Sequence, residues 1–309
     1  MIEISHLTKT YGNQNAVNDI SFNVEKGEIV GFLGPNGAGK TTTMKIITCY
    51  MPPTSGEVKV GGLPVQEHSM EVRRKIGYLA EINPLYHDMN VVDFLRYIAE
   101  LRNIPKDKHN QRIREVVELC SLGEVLHKDI SQLSKGYRQR VGIAQAMIHN
   151  PEILILDEPT IGLDPNQVVD IRNLIKRLGR EKTVVLSTHI LSEVQATCDR
   201  AIIINRGAIV ADSSIAELQR GASQHEVINL ELIGDVDRAP DVFRQIDGVA
   251  DVREVYVNAG SARSFRITAS TESDPREKIS RKAEENSWAI VGMSREVHSL
   301  EEVFHKLTA

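Results

Sequence analysis

The sequence predicts an α/β fold, a largely parallel sheet with helices on both faces, followed by a small α+β domain. Three observations carry that prediction. From about residue 134 to 205, helical periodicity alternates with short, continuously apolar runs, as a sheet covered on both faces requires. A glycine-rich turn over 34–39 joins an apolar run to a helical one. Beyond about Gly221 the composition changes, and the order of predicted elements becomes βαββαβ, the ferredoxin-like pattern.

The bulk properties bound what such a chain can do. With 309 residues, two domains fit better than one, and 41% hydrophobic residues supply a core that a disordered chain would lack. The formal net charge is -5, with acids and bases mixed along the chain, so no basic nucleic-acid footprint is expected. Cys49, Cys120 and Cys198 lie far apart with no CxxC pair, which fits reduced thiols in a cytosolic protein. Met1-Ile2-Glu3-Ile4 carries an early acid and no apolar core like that of a signal peptide. The longest apolar runs, such as Ile153–Leu156 and Ala201–Ile204, are strand-sized, whereas a membrane span needs about 20 apolar residues. No direct membrane span is expected.

The elements follow in order. Two strands flank a turn at Tyr11-Gly12-Asn13, the second running over Val17–Val24 with alternation in its latter half. Gly27–Leu33 reads as a strand buried on both faces, and a helix over Gly39–Tyr50 is stopped by Pro52-Pro53. Gly56–Val60 and Ile76–Leu79 are further strands. Helical periodicity marks 91–102 and 110–120, with a break at Pro105. Tyr137, Val141, Ala144 and Ile148 form one face of a helix that ends before Pro151. Ile153–Leu156 is a buried strand, Val168, Ile171, Ile175 and Leu178 mark a helix, and Thr183–Ser187 and Ala201–Asn205 are two more strands with a helix between them.

In the C-terminal part the sequence predicts a strand over 225–233, a helix over 238–246 and a hairpin of 249–258 and 263–269 around Asn258-Ala259-Gly260. A helix over 275–286, a strand over 288–297 and a last helix over 299–307 complete it. The division expected is 1–220 for the large domain and 221–309 for the accessory one, where no catalytic group is legible.

Gly34-Pro35-Asn36-Gly37-Ala38-Gly39-Lys40-Thr41 fits G-x-x-x-x-G-K-[ST] between an apolar strand and a helix, the context of a P-loop. The four fixed positions arise by chance in roughly one chain of this length in a hundred, before that context is required. Glycine lets the backbone wrap closely enough for several N–H groups to face phosphates, and the helix N-terminus adds its positive dipole end. Lys40 would reach the β and γ phosphates, Thr41 would ligate Mg²⁺, and Thr42 would add phosphate contacts.

Asp157-Glu158 follow the strand Ile153–Leu156 at its C-terminal end, where ligands gather in open α/β sheets. An acidic pair after a strand is usually a solvated loop; behind a phosphate loop it divides labour. Asp157 would hold Mg²⁺ and Glu158 would orient and deprotonate the attacking water. His189 follows the next buried strand and would sit near the γ-phosphate. Ser134-Lys135-Gly136-Tyr137-Arg138-Gln139-Arg140 opens a helix, with Ser134 as N-cap and Gly136 permitting close backbone approach. From the residues alone, that stretch reads equally as a capped surface helix with a basic face.

Together these motifs resemble the ATP-binding subunits of ABC transporters over roughly residues 1–220. Leu133–Arg140 is similar to that family's signature sequence, Gly162-Leu163-Asp164 to its D-loop and His189 to its switch histidine. Tyr11, on its own a surface residue in a turn, falls where the family stacks an aromatic ring on adenine. The stretches Gly77-Tyr78-Leu79, Asn83-Pro84-Leu85-Tyr86 and Leu163–Gln167 resemble the gliding-motility-type GldA group, and Ser299–Phe304 the ending of drug-exporter-type subunits with a C-terminal extension. Glu81 stands where the family usually has a glutamine, as exporter-type relatives often do. Glutamate can still reach Mg²⁺ through its oxygen, while bringing charge and no amide donor.

The resemblance implies a P-loop NTPase core with antiparallel β and helical subdomains. It implies ATP and Mg²⁺ as cofactors, and a head-to-tail homodimer in which each ATP lies between Lys40 of one copy and Ser134 and Gly136 of the other. It further implies separately encoded transmembrane permease subunits, docked around residues 78–100, and a cytoplasmic place on the inner face of the membrane. The activity implied is ATP hydrolysis driving transport, with export favoured. A soluble ABC-type ATPase acting on nucleic acid or ribosomes is the alternative, and a nucleotide-gated scaffold a third reading.

Overall fold

A computed structural model describes residues 1–221, 225–255, 262–270, 274–296 and 304. They divide into two compact units, one over Met1–Ile215 and a second that starts at Ala216.

The first unit opens with β1 (Ile2–Tyr11) and β2 (Gln14–Val24), an antiparallel pair. The alternation of β2 buries Val17, Ile20, Phe22 and Val24 and turns the residues between them outward. After β3 (Ile29–Leu33) come α1 (Lys40–Ile47), β4 (Ser55–Val60), β5 (Leu63–Pro64), α2 (Ser69–Lys75) and β6 (Ile76–Leu79). A helical segment follows, with α3 (Val91–Leu101), α4 (Lys106–Leu119) and α5 (Lys135–Met147). The unit ends with β7 (Ile153–Asp157), α6 (Pro165–Gly179), β8 (Thr183–Thr188), α7 (Leu191–Thr197), β9 (Arg200–Asn205) and β10 (Ala208–Ser214); α8 (Ile215–Gly221) spans the boundary.

Two sheets result. One is antiparallel, in the order β2-β1-β4-β5. The other, β10-β9-β3-β8-β7-β6, is parallel throughout except for the edge strand β10. Every residue of β3, β7 and β8 is buried, which explains their unbroken apolar runs. One core joins both sheets, since Ile4 and Val24 cluster with Phe32, Ile155 and Ile202, and Met44 and Ile47 of α1 pack into the same cluster. Truncating a fully buried ring such as Phe32 to alanine would cost about 3–5 kcal/mol.

The helical segment shows where local chemistry sets boundaries. Asn90 caps α3 by accepting a hydrogen bond from the Asp93 N–H at 2.9 Å, and Val91, Phe94, Leu95 and Ile98 form its buried face. Pro105, expected only as a break, immediately precedes α4, which therefore starts at Lys106 rather than near residue 110. Conversely α1 stops at Ile47, short of the expected Tyr50, because Cys49 takes a positive φ of 58°.

In the second unit, β11 (His225–Ile233), α9 (Ala239–Arg244), β12 (Val249–Val255), β13 (Arg263–Ser270), α10 (Arg276–Glu285) and β14 (Ala289–Glu296) form an antiparallel sheet in the order β12-β13-β11-β14. That order is the ferredoxin-like one. Phe243 of α9 and Ile279 and Ala283 of α10 cluster with Leu230, Phe265 and Ile267 of the sheet. The Trp288 ring meets Phe243 edge-on at 5.6 Å, and its Nε1–H donates to the Asp235 carbonyl at 2.7 Å. The predicted turn at Asn258-Ala259-Gly260 and the last helix over 299–307 lie outside the described residues, apart from Phe304.

Candidate active site

The loop from β3 to α1 is shaped by its glycines. Gly37 and Gly39 adopt φ of 80° and 111°, which a side chain resists. A Cβ on Gly34 would lie 2.3 Å from the Ile204 carbonyl oxygen, so nothing larger fits between β3 and β9. The loop thus bends back on itself and brings α1 in with Lys40 as its first residue.

Lys40 is buried, and its Nζ donates to the carbonyls of Gly34 at 2.8 Å and Pro35 at 3.2 Å. It also lies 3.5 Å from Glu158 Oε1, a pair buried on both sides. Because such a pair is desolvated, removing either partner strands a charge.

Glu158 follows β7 at a φ of 48°, a left-handed conformation. Its backbone N–H donates to the Ser187 carbonyl at 3.1 Å, tying it to the end of β8. His189 Nδ1 is 3.0 Å from both Glu158 carboxylate oxygens, while the imidazole itself is partly exposed. Asp157 accepts hydrogen bonds at Oδ1 from the Ser187 hydroxyl and, at 3.3 Å, from Thr41 Oγ1. Its other oxygen, Oδ2, is buried without a partner. Burial pushes the Asp157 carboxyl above its usual range, the Ser187 and Thr41 hydrogen bonds oppose that, and the nearby Glu81 and Glu158 charges add to it. An orphaned carboxylate oxygen beside a threonine hydroxyl is the donor set a hard dication takes, so these residues fit Mg²⁺.

A pocket of about 760 Å³ opens over this arrangement. Of the residues predicted from sequence, Tyr11, Asn36, Gly37, Gly39, Lys40, Thr41, Thr42, Glu81 and Glu158 line it. Gly34 and Pro35 lie beneath, their carbonyls taken by Lys40, and Ala38 is buried. Asp157 and His189 are not among its lining residues, but each is hydrogen-bonded to one that is, Asp157 to Thr41 and His189 to Glu158. Tyr11 is half exposed, with its hydroxyl 3.0 Å from Met51 Sδ and the Lys9 ammonium 5.5 Å from its ring centre.

Ser134 and Gly136 are not among the residues of that pocket. Ser134 caps α5, its hydroxyl accepting from the Tyr137 N–H at 3.4 Å, and Gly136 is buried against Gln167 of α6.

Sequence reasoning missed several residues. Gln14, Asn15 and Arg206 line the pocket from β2 and the β9–β10 turn, and no motif marks them. Glu193, on α7, is buried and accepts hydrogen bonds from the hydroxyls of Thr160 and Thr188. The signal available was weak: an acid one helical turn past His189.

Residues 17–161 match the family model described as ABC transporter. The bacitracin transport ATP-binding protein BcrA of Bacillus licheniformis is 38% identical over 222 residues, covering 71% of this chain and 72% of that one. This chain belongs to the ATP-binding subunits of ABC transporters. The linearmycin resistance ATP-binding protein LnrL of Bacillus subtilis is 31% identical over 275 residues, 87% of this chain and 88% of that one. Among solved structures, the dimeric post-hydrolysis state of the ATP-binding cassette MJ0796, bound to ADP and Pi, superimposes with a TM-score of 0.64 at 28% identity, over 70% of this chain and 99% of that one. The ABC cassette core and the ATPase activity expected from the motifs therefore hold for this chain, as does ATP binding. Among the described residues, no helix is long and apolar enough to cross a membrane.

Proposed function

We propose that this chain drives an exporter of the drug-resistance type, in which two copies close on ATP beneath separately encoded permease subunits. The reading places it on the cytoplasmic face of the membrane, with 221–309 as an accessory domain of the kind found in the gliding-motility-type GldA and drug-exporter-type groups. Support for export comes from the bacitracin and linearmycin relatives, and support for two copies from the dimeric MJ0796 cassette. Large apolar side chains stand exposed at Ile82, Tyr86, Tyr97 and Leu101, around the segment expected to meet the permease.

The observation that carries the mechanism is the contact of Glu158 with both Lys40 and His189 at the floor of the pocket. In this reading Lys40 turns its ammonium from the Gly34 and Pro35 carbonyls toward the β and γ phosphates, while the amides of residues 36–42 hold the rest of the chain of phosphates. Tyr11 offers its ring to the base. Thr41, Asp157 and Glu81 would hold magnesium, whose charge would offset that on the phosphate oxygens. Glu158 accepts a proton from the attacking water, and His189 fixes the carboxylate and faces the γ-phosphate. Ser134 and Gly136 then serve the second copy's nucleotide.

Glu158→Gln keeps the shape and removes the base. Turnover should fall at least about a hundredfold, the size of a general-base contribution, while ATP binding persists and the ATP-bound dimer accumulates in size-exclusion chromatography. Wild-type turnover in that variant would remove Glu158 from the base role. Co-purification with a membrane-spanning protein, followed by drug efflux in vesicles, tests the transport half.

A further inference from the structure

Glu193 is a carboxylate buried where the sheet's two catalytic loops meet, and the chemistry described above does not use it. Burying a charged group carries a penalty that hydrogen bonds must offset. Among the described residues no ion pair includes Glu193. Instead each oxygen takes one hydroxyl: Oε1 accepts from Thr160 Oγ1, and Oε2 from Thr188 Oγ1 at 2.8 Å.

The two threonines occupy telling positions. Thr160 lies two residues beyond Glu158, in the loop that leaves β7. Thr188 ends β8 and immediately precedes His189. Strand pairing holds these segments together only as far as Asp157 opposite Ser187. Past that point the Glu158 N–H still bonds to the Ser187 carbonyl and Thr188 pairs on its other side with Leu33, yet the 3.0 Å contact between Glu158 and His189 requires both loops to keep their place beyond these bonds. Glu193 spans the gap from behind.

We propose that Glu193 is a positioning residue for ATP hydrolysis, clasping the Glu158 and His189 loops in register through Thr160 and Thr188. The proposal rests on the reading that Glu158 and His189 act on the nucleotide. A carboxylate is specified because Thr188 Oγ1 already accepts from the Ile190 N–H at 3.0 Å, so its own proton must go to an acceptor. Glutamine offers one acceptor and one donor pair, and can satisfy only one of the two threonines as they stand.

The test uses steady-state ATPase kinetics and thermal melting of the purified full chain with Glu193→Gln, Thr160→Val, Thr188→Val and their pairs. Glu193→Gln should lower kcat about tenfold with KM within about twofold, as a small misplacement of catalytic groups does. Pairs should lose no more than the worse single variant, since all three changes open one clasp. Wild-type kcat in Glu193→Gln, a loss confined to melting temperature or KM, or losses that multiply in the pairs, would each overturn the proposal. The parent reading fails separately: it falls if Glu158→Gln keeps full turnover, whereas an inactive Glu158→Gln beside a fully active Glu193→Gln removes only the clasp.

Discussion

The loop that opens α1 and the turn that opens α5 both begin a helix with groups that suit a phosphate, yet they are finished to different degrees. In the first, glycine-shaped backbone encloses Lys40, which already has three oxygen partners, and the residues beneath it are buried. In the second, Ser134 is exposed and, among the described residues, its hydroxyl meets only the Tyr137 N–H at 3.4 Å. The first is a site assembled within one chain. In the function proposed above, the second is half of one, completed by a neighbouring copy. On that proposal, separating a gripping half from a completing half would make ATP itself part of the interface, so that its binding shifts a population of open copies to closed ones.

Three substitutions can break or sharpen that contrast. The largest effect belongs to Lys40→Ala, which removes a charged donor from the phosphates and leaves Glu158 without its ammonium neighbour. Nucleotide affinity of the monomer should drop about tenfold to a hundredfold by titration with a fluorescent ATP analogue. Unchanged affinity would mean the loop does not grip a triphosphate. Next comes Ser134→Ala in a Glu158→Gln background. Monomer affinity should stay at its parent value while the dimer midpoint in sedimentation moves about fivefold to higher protein concentration, the worth of one ordinary hydrogen bond. Equal losses in both measurements would erase the distinction between the halves.

The smallest effect lies at the far end of α5, where His149 joins the turn's own helix to the sheet through Nε2 and the Ile76 carbonyl at 3.0 Å. Burial, helped by the Arg102 charge, holds its imidazole down at about 4 against 6.5 for a free side chain. Between those values the unfolded chain binds a proton that the folded chain refuses, so stability declines as pH falls through that window. His149→Gln keeps a donor toward Ile76 and abolishes the titration. Its urea midpoint should change less between neutral pH and about pH 5 than that of the parent, and an identical change would show that His149 carries none of the acid sensitivity.

Much of the cassette was legible because its constraints are local. Only glycine satisfies the backbone at Gly34, Gly37 and Gly39, so the phosphate loop is spelled out in residue types. Buried parallel strands announce themselves as apolar runs, and the acidic pair sits at the end of one. What escaped is either short or relational. Leu63–Pro64 is a strand of two residues, and α2 has seven, too few for a period to emerge. Pro105 reads as a stop until its place just ahead of a helix is seen, where its missing N–H costs nothing. Glu193 and Arg206 matter through what folding brings beside them, and no spacing along the chain records that.

The left-handed backbone at Glu158 has a consequence for how this protein can vary. A φ of 48° penalises β-branched side chains for reasons of shape alone, before any reaction is considered. The base role proposed for Glu158 would then remove nearly all that remain. With conformation and acidity both specified at a single codon, that proposal leaves substitution there almost nowhere to go, and a change would forfeit hydrolysis sooner than the fold.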